Sequence, residues 1–356
     1  MKTLIVPCGG RSSRFPNMKP KWMLTHPKGN LMIFEGLSQF PVESFDRFII
    51  TIHKSHVEEY QADLILKQAS PWNFEICILD EWTQGPAETV AKTISQMKIE
   101  GSIVIKDSDN LASSVDLKDK LIGENFVVGV DIYKQNIAKP ESKSYLVVDD
   151  NNLLVEIIEK RIVSGTICAG IYGIASANQF VDNFKKCSTL MPNHEIYMSH
   201  VISHMVKVAS LPFESVETVF FEDWGTIEEW QSAQKKHATY FCDFDGVIVV
   251  NSGKYGEFNW ESEFRPITEN VNALARLSAN GAEFIITTAR DFNQRERIME
   301  FLKNNQIRVK EILTNLNHAP RYLINDFAPT NPYPTAIAIN LPRNAHIEGY
   351  LELNQN

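Results

Sequence analysis

Leu4-Ile-Val-Pro-Cys-Gly9-Gly10-Arg11-Ser12-Ser13-Arg14-Phe15, with Lys19-Pro20-Lys21 close behind, is an apolar run that empties into a turn of small residues backed by cations. Small residues leave the amides of such a turn exposed, and successive exposed N–H groups form a nest for anions. Arginine and lysine beside the nest neutralise the bound charge. The stretch therefore reads as the first buried strand of an α/β layer ending in a polyphosphate loop.

Working outward, short apolar runs alternate with amphipathic segments, the pattern of α/β layering. Strands are expected at Thr3–Pro7, Arg47–Ile52, Glu75–Leu79, Ser102–Lys106, Phe126–Asp131, Ser144–Val148 and Thr166–Ile174. Helices fit Leu31–Phe40, Ser55–Lys67, Pro86–Met97, Asn178–Cys187 and His194–Lys207, and Ile227–His237 has the composition of a connector. A new strand-led unit starts at Tyr240. Its helices are expected at Thr268–Asn280 and Phe292–Asn304, and its strands at Glu283–Thr287 and near Lys310–Leu313, Tyr322–Ile324 and Ala336–Asn340. The domains are thus residues 1–235 and 239–350.

Composition bounds the partners. The chain has 356 residues, 44% of them hydrophobic, and a net charge of −9, which speaks against a nucleic-acid or anionic-membrane surface. Any anionic ligand must be met by local cations. Five cysteines without paired spacing read as reduced, buried thiols. Lys2-Thr-Leu-Ile-Val-Pro runs straight into a strand with no signal-peptide layout, and no run has membrane-spanning length, so a cytoplasmic protein without membrane insertion is expected. Nothing in the sequence fixes the oligomeric state; a homo-oligomer is compatible with it.

Further segments complete a first site. Asp80-Glu-Trp-Thr83-Gln84-Gly85-Pro86-Ala87 reads as a strand end, a tight turn and a helix start, where small residues let a flat ring approach the backbone. Ile103-Val-Ile-Lys-Asp107-Ser-Asp109-Asn110 places two carboxylates at a strand end, and Phe220-Phe-Glu222-Asp223-Trp224-Gly225-Thr226 adds another. Hard oxygen ligands so grouped suit Mg²⁺ bound to phosphates. Singly, each segment is ordinary turn or cap chemistry; the ordered set is not.

That order, together with Glu159-Lys160 and Gly170-Ile-Tyr172, resembles the sugar-phosphate nucleotidyltransferases, or NDP-sugar pyrophosphorylases, over about residues 1–235. The resemblance implies a Rossmann-like three-layer α/β/α domain that joins a nucleoside triphosphate to a phosphorylated small-molecule acceptor and releases pyrophosphate. It places Gly9, Gly10, Arg11, Ser12 and Ser13 on the triphosphate, and Thr83, Gln84, Gly85, Ala87 and Asp107 on the nucleotide. Arg14 and Lys21 become catalytic cations, Asp109 and Asp223 hold Mg²⁺, and Glu159, Lys160, Gly170 and Tyr172 contact the acceptor. Pro7-Cys8 and the Arg11-Ser-Ser-Arg14 spacing depart from the family's usual loop, which leaves the substrate open; CTP or UTP is favoured.

The second unit opens with Tyr240-Phe-Cys242-Asp243-Phe244-Asp245-Gly246-Val247, a strand ending in two carboxylates one residue apart, which can project to the same side. Asp243 then suits a nucleophile and Asp245 a general acid/base. Phe284-Ile-Ile-Thr287-Thr288-Ala289-Arg290 ends a second strand in phosphate-binding groups, and Asn325-Asp326 ends a third. The set resembles the haloacid dehalogenase superfamily of phosphatases over about residues 239–345. That resemblance implies a second Rossmann-like three-layer α/β/α domain, with Asp243, Asp245 and Asp326 holding Mg²⁺ and Thr288, Ala289 and Arg290 binding phosphate. The family's third-motif lysine is not evident; Lys310 or Arg321 stands nearest in sequence. Asn251–Pro266, with Tyr255, Phe258 and Trp260, has the length of a flap.

The preferred expectation is a bifunctional enzyme, transferase and phosphatase in one pathway, of the kind that makes activated precursors for capsule or other surface glycans. Two alternatives stand beside it: a transferase carrying a non-catalytic module, and a regulatory protein that binds nucleotide without turnover.

Overall fold

The computed structural model describes residues 1–113, 123–135, 137, 139–192, 194–253, 263–328 and 335–351. Tyr255, Phe258 and Trp260 of the expected flap lie outside the described residues. The chain divides into two units, Met1–Trp230 and Gln231–Asn356. No described helix is long and apolar enough to cross a membrane. All five cysteines are free and buried.

In the first unit, β1 (Lys2–Cys8), β2 (Arg47–His53), β3 (Glu75–Leu79) and β4 (Ser102–Lys106) form the parallel part of a nine-stranded mixed sheet, in the order β4-β1-β2-β3. β5 (Asn110–Ser113) leaves that sheet. β6 (Phe126–Asp131), β7 (Ser144–Val148), β8 (Leu154–Glu159), β9 (Thr166–Ile174) and β10 (Glu214–Glu217) extend it, with β9 antiparallel to both β4 and β6. β11 (Phe220–Asp223) pairs antiparallel with β5 outside the main sheet, setting Asp223 opposite Asn110.

Two-residue alternation gives this sheet two apolar faces. Leu4, Val6, Cys8, Ile50 and Ile52 pack with Ile33, Phe34, Leu37 and Leu66 on one side. Ile5 and Ile49 pack with Val90, Ile94, Phe180, Val201 and Met205 on the other. Helices on both faces of a sheet make three layers. The helix expected over Ser55–Lys67 is broken into Lys54–Tyr60 and Ala62–Ala69, because Gln61 takes a left-handed conformation (φ 52°). The helix expected from His194 starts only at Met198.

The second unit carries β12 (Thr239–Asp243), β13 (Glu283–Thr287) and β14 (Val309–Leu313) in one parallel sheet, in that order. Both crossovers, through the helices Thr268–Asn280 and Arg295–Asn304, advance in the same direction. Right-handed crossovers then place both helices on one face. Accordingly one buried cluster, with Cys242, Leu274, Leu277, Phe284, Ile286, Ile298 and Leu302, forms the core, while Phe241 is 57% exposed. The described residues here make two layers, not the three expected.

Tyr322–Ile324 and Ala336–Asn340, expected as strands, are irregular and pair with no strand among the described residues; Tyr322 and Ile324 are 86% and 92% exposed. Apolar runs this short become strands only where a partner supplies the ladder and a surface to pack on. Their amides should exchange with solvent within seconds, while those of Ile285 and Ile286 on the central strand stay protected. Equal protection in native-state hydrogen exchange would show Tyr322–Ile324 to be a strand after all.

Candidate active site

The sheet topology delivers the ends of β1, β4 and β11 to one place. After β1, Gly9 is buried and Gly10 exposed, and a β-carbon built on Gly10 meets nothing within 4 Å. Ser12 turns left-handed (φ 49°), its carbonyl accepts the Phe15 N–H at 2.8 Å, and its hydroxyl accepts the Lys21 N–H at 3.2 Å. These bonds fold the loop back so that Lys21 Nζ pairs with Asp109. Ser13 and Arg14 are exposed on the loop's solvent side.

Asp109 lies midway along the first unit's sequence and Asp223 near its end, and the two converge. A β-carbon built on Gly225 would lie 3.0 Å from Asp223 Oδ1 and 3.1 Å from Asp109 Oδ2. The β5–β11 pairing brings them together, and Trp224 N–H donates to the Asp109 carbonyl at 2.8 Å. Lys143 Nζ donates to Asp223 and, at 2.8 Å, to Glu229 Oε1. Glu229 is held by a reciprocal cap at the start of the helix Ile227–Lys236. Thr226 N–H donates to its carboxylate at 3.0 Å, and Glu229 N–H donates to Thr226 Oγ1 at 3.3 Å.

Beneath this pair lies Lys106, fully buried at the end of β4. Its ammonium donates to the carbonyls of Asp107 (2.8 Å) and Asn110 (2.9 Å) and to Asn110 Oδ1 (2.5 Å), which ties down the Asp107–Asn110 turn. Burial pulls Lys106 down to about 8. Burial, reinforced by the Asp109 charge, pushes Asp107 up to about 7. At Asp109, burial pulls upward but is outweighed by the lysines, Lys21 foremost, and the carboxyl titrates below its ordinary range. Asp223 is raised by burial, with Lys143 opposing. The site thus holds an ionised Asp109 beside a carboxyl, Asp107, poised near neutrality.

Near Lys143, β7 and β8 form a hairpin with Ser144 opposite Glu159. Ser144 and Ser199 hydroxyls donate to Glu159 Oε2 at 2.5 and 2.7 Å. Lys160 (φ 51°) donates to Tyr197 Oη at 2.7 Å, and Tyr197 Oη donates to Glu195 at 2.7 Å. A cavity of about 440 Å³ opens here, lined by Met191, His194, Glu195, Tyr197 and His200.

Four expected site residues turn out to do other work. Tyr172 is buried in the core cluster that holds Cys168, Ile196 and Met198, and is hydrogen-bonded to Cys168. Gly170 (φ +69°) leaves room for the Asp107 carboxylate rather than for a ligand. Ala87 is fully buried, and Thr83 is buried with its hydroxyl 2.7 Å from that of Thr89. Of that turn, Gln84 stays exposed, its N–H donating to Glu88, and Gly85 precedes the helix Pro86–Gln96.

Arg11 lies over the Trp82 ring at 5.2 Å, and Trp82 stacks on His53 at 3.7 Å. His56 lies edge-on to the same indole, and burial pulls its pKa from 6.5 down to about 4. Between those values the folded chain binds fewer protons than the unfolded one, so this group's contribution is lost as pH falls, by about 3 kcal/mol in all. Urea midpoints followed by tryptophan fluorescence between about pH 7 and 4.5 should therefore fall less for His56→Gln than for the parent chain. Parallel curves would contradict the assignment.

In the second unit, Arg290 takes Asp245 in a forked grip: Nε donates at 3.1 Å to Oδ1 and at 3.0 Å to Oδ2, and Nη2 donates at 2.7 Å to Oδ1. Thr288 Oγ1 donates to Asp245 Oδ2 at 3.1 Å and accepts the Arg290 N–H. Thr288 and Arg290 thus face a carboxylate rather than open space, and Ala289 lies between them. Asp243, raised by burial, stands 3.6 Å from Arg321. Lys310 instead pairs with Glu283. Asp326 lies in an exposed irregular stretch, its carbonyl accepting from Thr335, and among the described residues it makes no contact with Asp243 or Asp245. The three-carboxylate metal site expected here is not assembled, because the strand that would carry Asp326 does not form.

In the first unit the donors do suit a hard divalent cation. No described group of three or more His, Cys, Asp or Glu side chains forms a ready-made cage. Two convergent carboxylates are, however, what Mg²⁺ takes from a protein when phosphates and water fill its other positions.

The sequence alone assigns no role to Glu229 or Lys106, and no partner to Lys143. Signals existed for two of them: Thr226-x-x-Glu229 has capping-box spacing, and Lys106 ends an otherwise apolar strand.

Comparison of the sequence with protein-family models and with curated proteins gives no match. Solved structures do share the fold. The nucleoside-diphosphate-sugar pyrophosphorylase from Vibrio cholerae RC9 superposes with a TM-score of 0.54 at 16% identity, over 65% of this chain and 98% of its own. The inositol-1-phosphate CTP transferase from T. maritima superposes with a TM-score of 0.52 at 11% identity, over 64% of this chain and 90% of its own. At such identities the likeness is one of fold.

Proposed function

We propose that the first unit is a Mg²⁺-dependent nucleotidyltransferase that joins a nucleoside triphosphate to a phosphorylated sugar, polyol or similar small acceptor. The convergence of Asp109 and Asp223 beside the glycine loop, each held by its own lysine, carries the reading. Its likeness in fold to a pyrophosphorylase and a CTP transferase supports it. The acceptor's phosphate oxygen attacks the α-phosphorus, the bond to the bridging oxygen breaks, and pyrophosphate leaves with the electron pair. Gly9, Gly10, Ser12 and Ser13 cradle the triphosphate, with Lys21 and Arg14 on the side of the leaving group. Gln84 and Gly85 read the base, and Glu159 and Lys160 hold the acceptor. Asp109 and Asp223 hold Mg²⁺, which when bound supplies charge neutralisation at the α-phosphate. Alignment and electrostatics then do the catalysis without a covalent intermediate. The nucleotide is CTP or UTP on this reading, and the product an activated precursor of the surface-glycan kind.

Four triphosphates tested against a panel of sugar and polyol phosphates, with pyrophosphate release as the readout, decide the matter. Release with one pair is the expected result; none with any pair overturns the reading.

For the second unit, phosphomonoester hydrolysis would use Asp243 as nucleophile and Asp245 as general acid/base. The forked grip of Arg290 on Asp245 favours a different reading, a module without turnover. Phosphate release from p-nitrophenyl phosphate and sugar phosphates is then expected at background level and unchanged in Asp243→Asn. Release that vanishes in that variant would restore the phosphatase.

A further inference from the structure

Lys143 joins the two halves of the first unit's site. Its ammonium donates to Asp223 and Glu229, on the side of the converging carboxylates. Its carbonyl accepts the Lys160 N–H at 3.0 Å, and the next residue, Ser144, donates to Glu159. The side chain is only 11% exposed, so the ammonium is fixed in place.

We infer that Lys143 is the cation that receives the acceptor's phosphate. The inference rests on the transferase reading above. If the body of the acceptor lies against Glu159 and Lys160 and the α-phosphate against Asp109 and Asp223, the attacking phosphate must span the gap between them. Lys143 touches both sides of that gap. In-line displacement puts attacker and leaving group on opposite sides of the α-phosphorus. Lys21 is held on Asp109 by the glycine loop, where this reading puts the triphosphate and its leaving group; Lys143 is held on Asp223, next to the hairpin that carries Glu159. A phosphomonoester dianion approaching a triphosphate is repelled unless a cation stands beside it. An ammonium has three N–H donors, and the two carboxylates account for two of them. The third is directed to the incoming phosphate, and Lys143 keeps its proton while the new P–O bond forms.

Isothermal titration of the full chain in Mg²⁺ buffer tests this with inorganic phosphate as the acceptor probe and inorganic pyrophosphate as the leaving-group probe. Lys143→Met should weaken phosphate by at least about tenfold and leave pyrophosphate within about twofold. Lys21→Met should do the reverse, and Lys143→Arg should retain phosphate. If Lys143→Met does not fold, pairing it with Glu229→Gln removes the surplus carboxylate and carries the same readout. Phosphate binding that is unchanged in Lys143→Met, absent from the parent chain, or lost in step with pyrophosphate overturns the inference. A parent chain that binds neither probe sinks the transferase reading and this inference with it.

Discussion

Asp109→Asn is expected to lower pyrophosphate release about a thousandfold, a loss of about 4 kcal/mol of transition-state stabilisation, without unfolding the chain. Asparagine keeps the shape of the side chain and its place above the buried Lys106. It removes the negative charge that Lys21 holds and that a divalent cation would share with Asp223. Burial alone would push this carboxyl up; the lysines reverse that, so the parent site carries the charge at neutral pH and the variant does not. The signature is a fall in kcat with a raised Mg²⁺ requirement, read beside an unaltered urea midpoint. A kcat within about threefold of the parent would mean that the two carboxylates play no part in the chemistry.

Gly170→Ala should have the largest effect on stability, about 3–5 kcal/mol, with loss of turnover. The backbone there is left-handed, which costs an alanine about 1–2 kcal/mol. The new β-carbon would also meet the Asp107 carboxylate and come within 2.9 Å of Asn110 Nδ2, the turn that Lys106 ties down. Gly10→Ala is the contrast. Its β-carbon meets no protein atom within 4 Å, so stability should change by less than about 0.5 kcal/mol while the KM for nucleotide rises. Tryptophan fluorescence suits both measurements, because five of the six tryptophans lie at or before residue 230. Equal stability losses in the two variants would overturn the distinction between a structural glycine and a ligand-facing one.

The local signals were legible where chemistry and periodicity coincide. The strands of the parallel half, the glycine loop, Lys21, Asp109 and Asp223 all follow from apolar runs that end in small or acidic residues. Tertiary structure decided the rest, because it depends on which way a side chain points and what it meets. Tyr172 looked like a cleft residue, yet packing with Ile196 and Met198 buries it. The residues around Lys143 name no partner for it, yet the β7–β8 hairpin carries it to Asp223 and Glu229. Tyr322–Ile324 reads as a strand, but among the described residues it has no ladder partner. Asp245 reads as a proton donor, but a buried Arg290 holds it in a fork. A sequence specifies residue types and their period along the chain; only packing brings distant segments together and sets which charges neutralise one another.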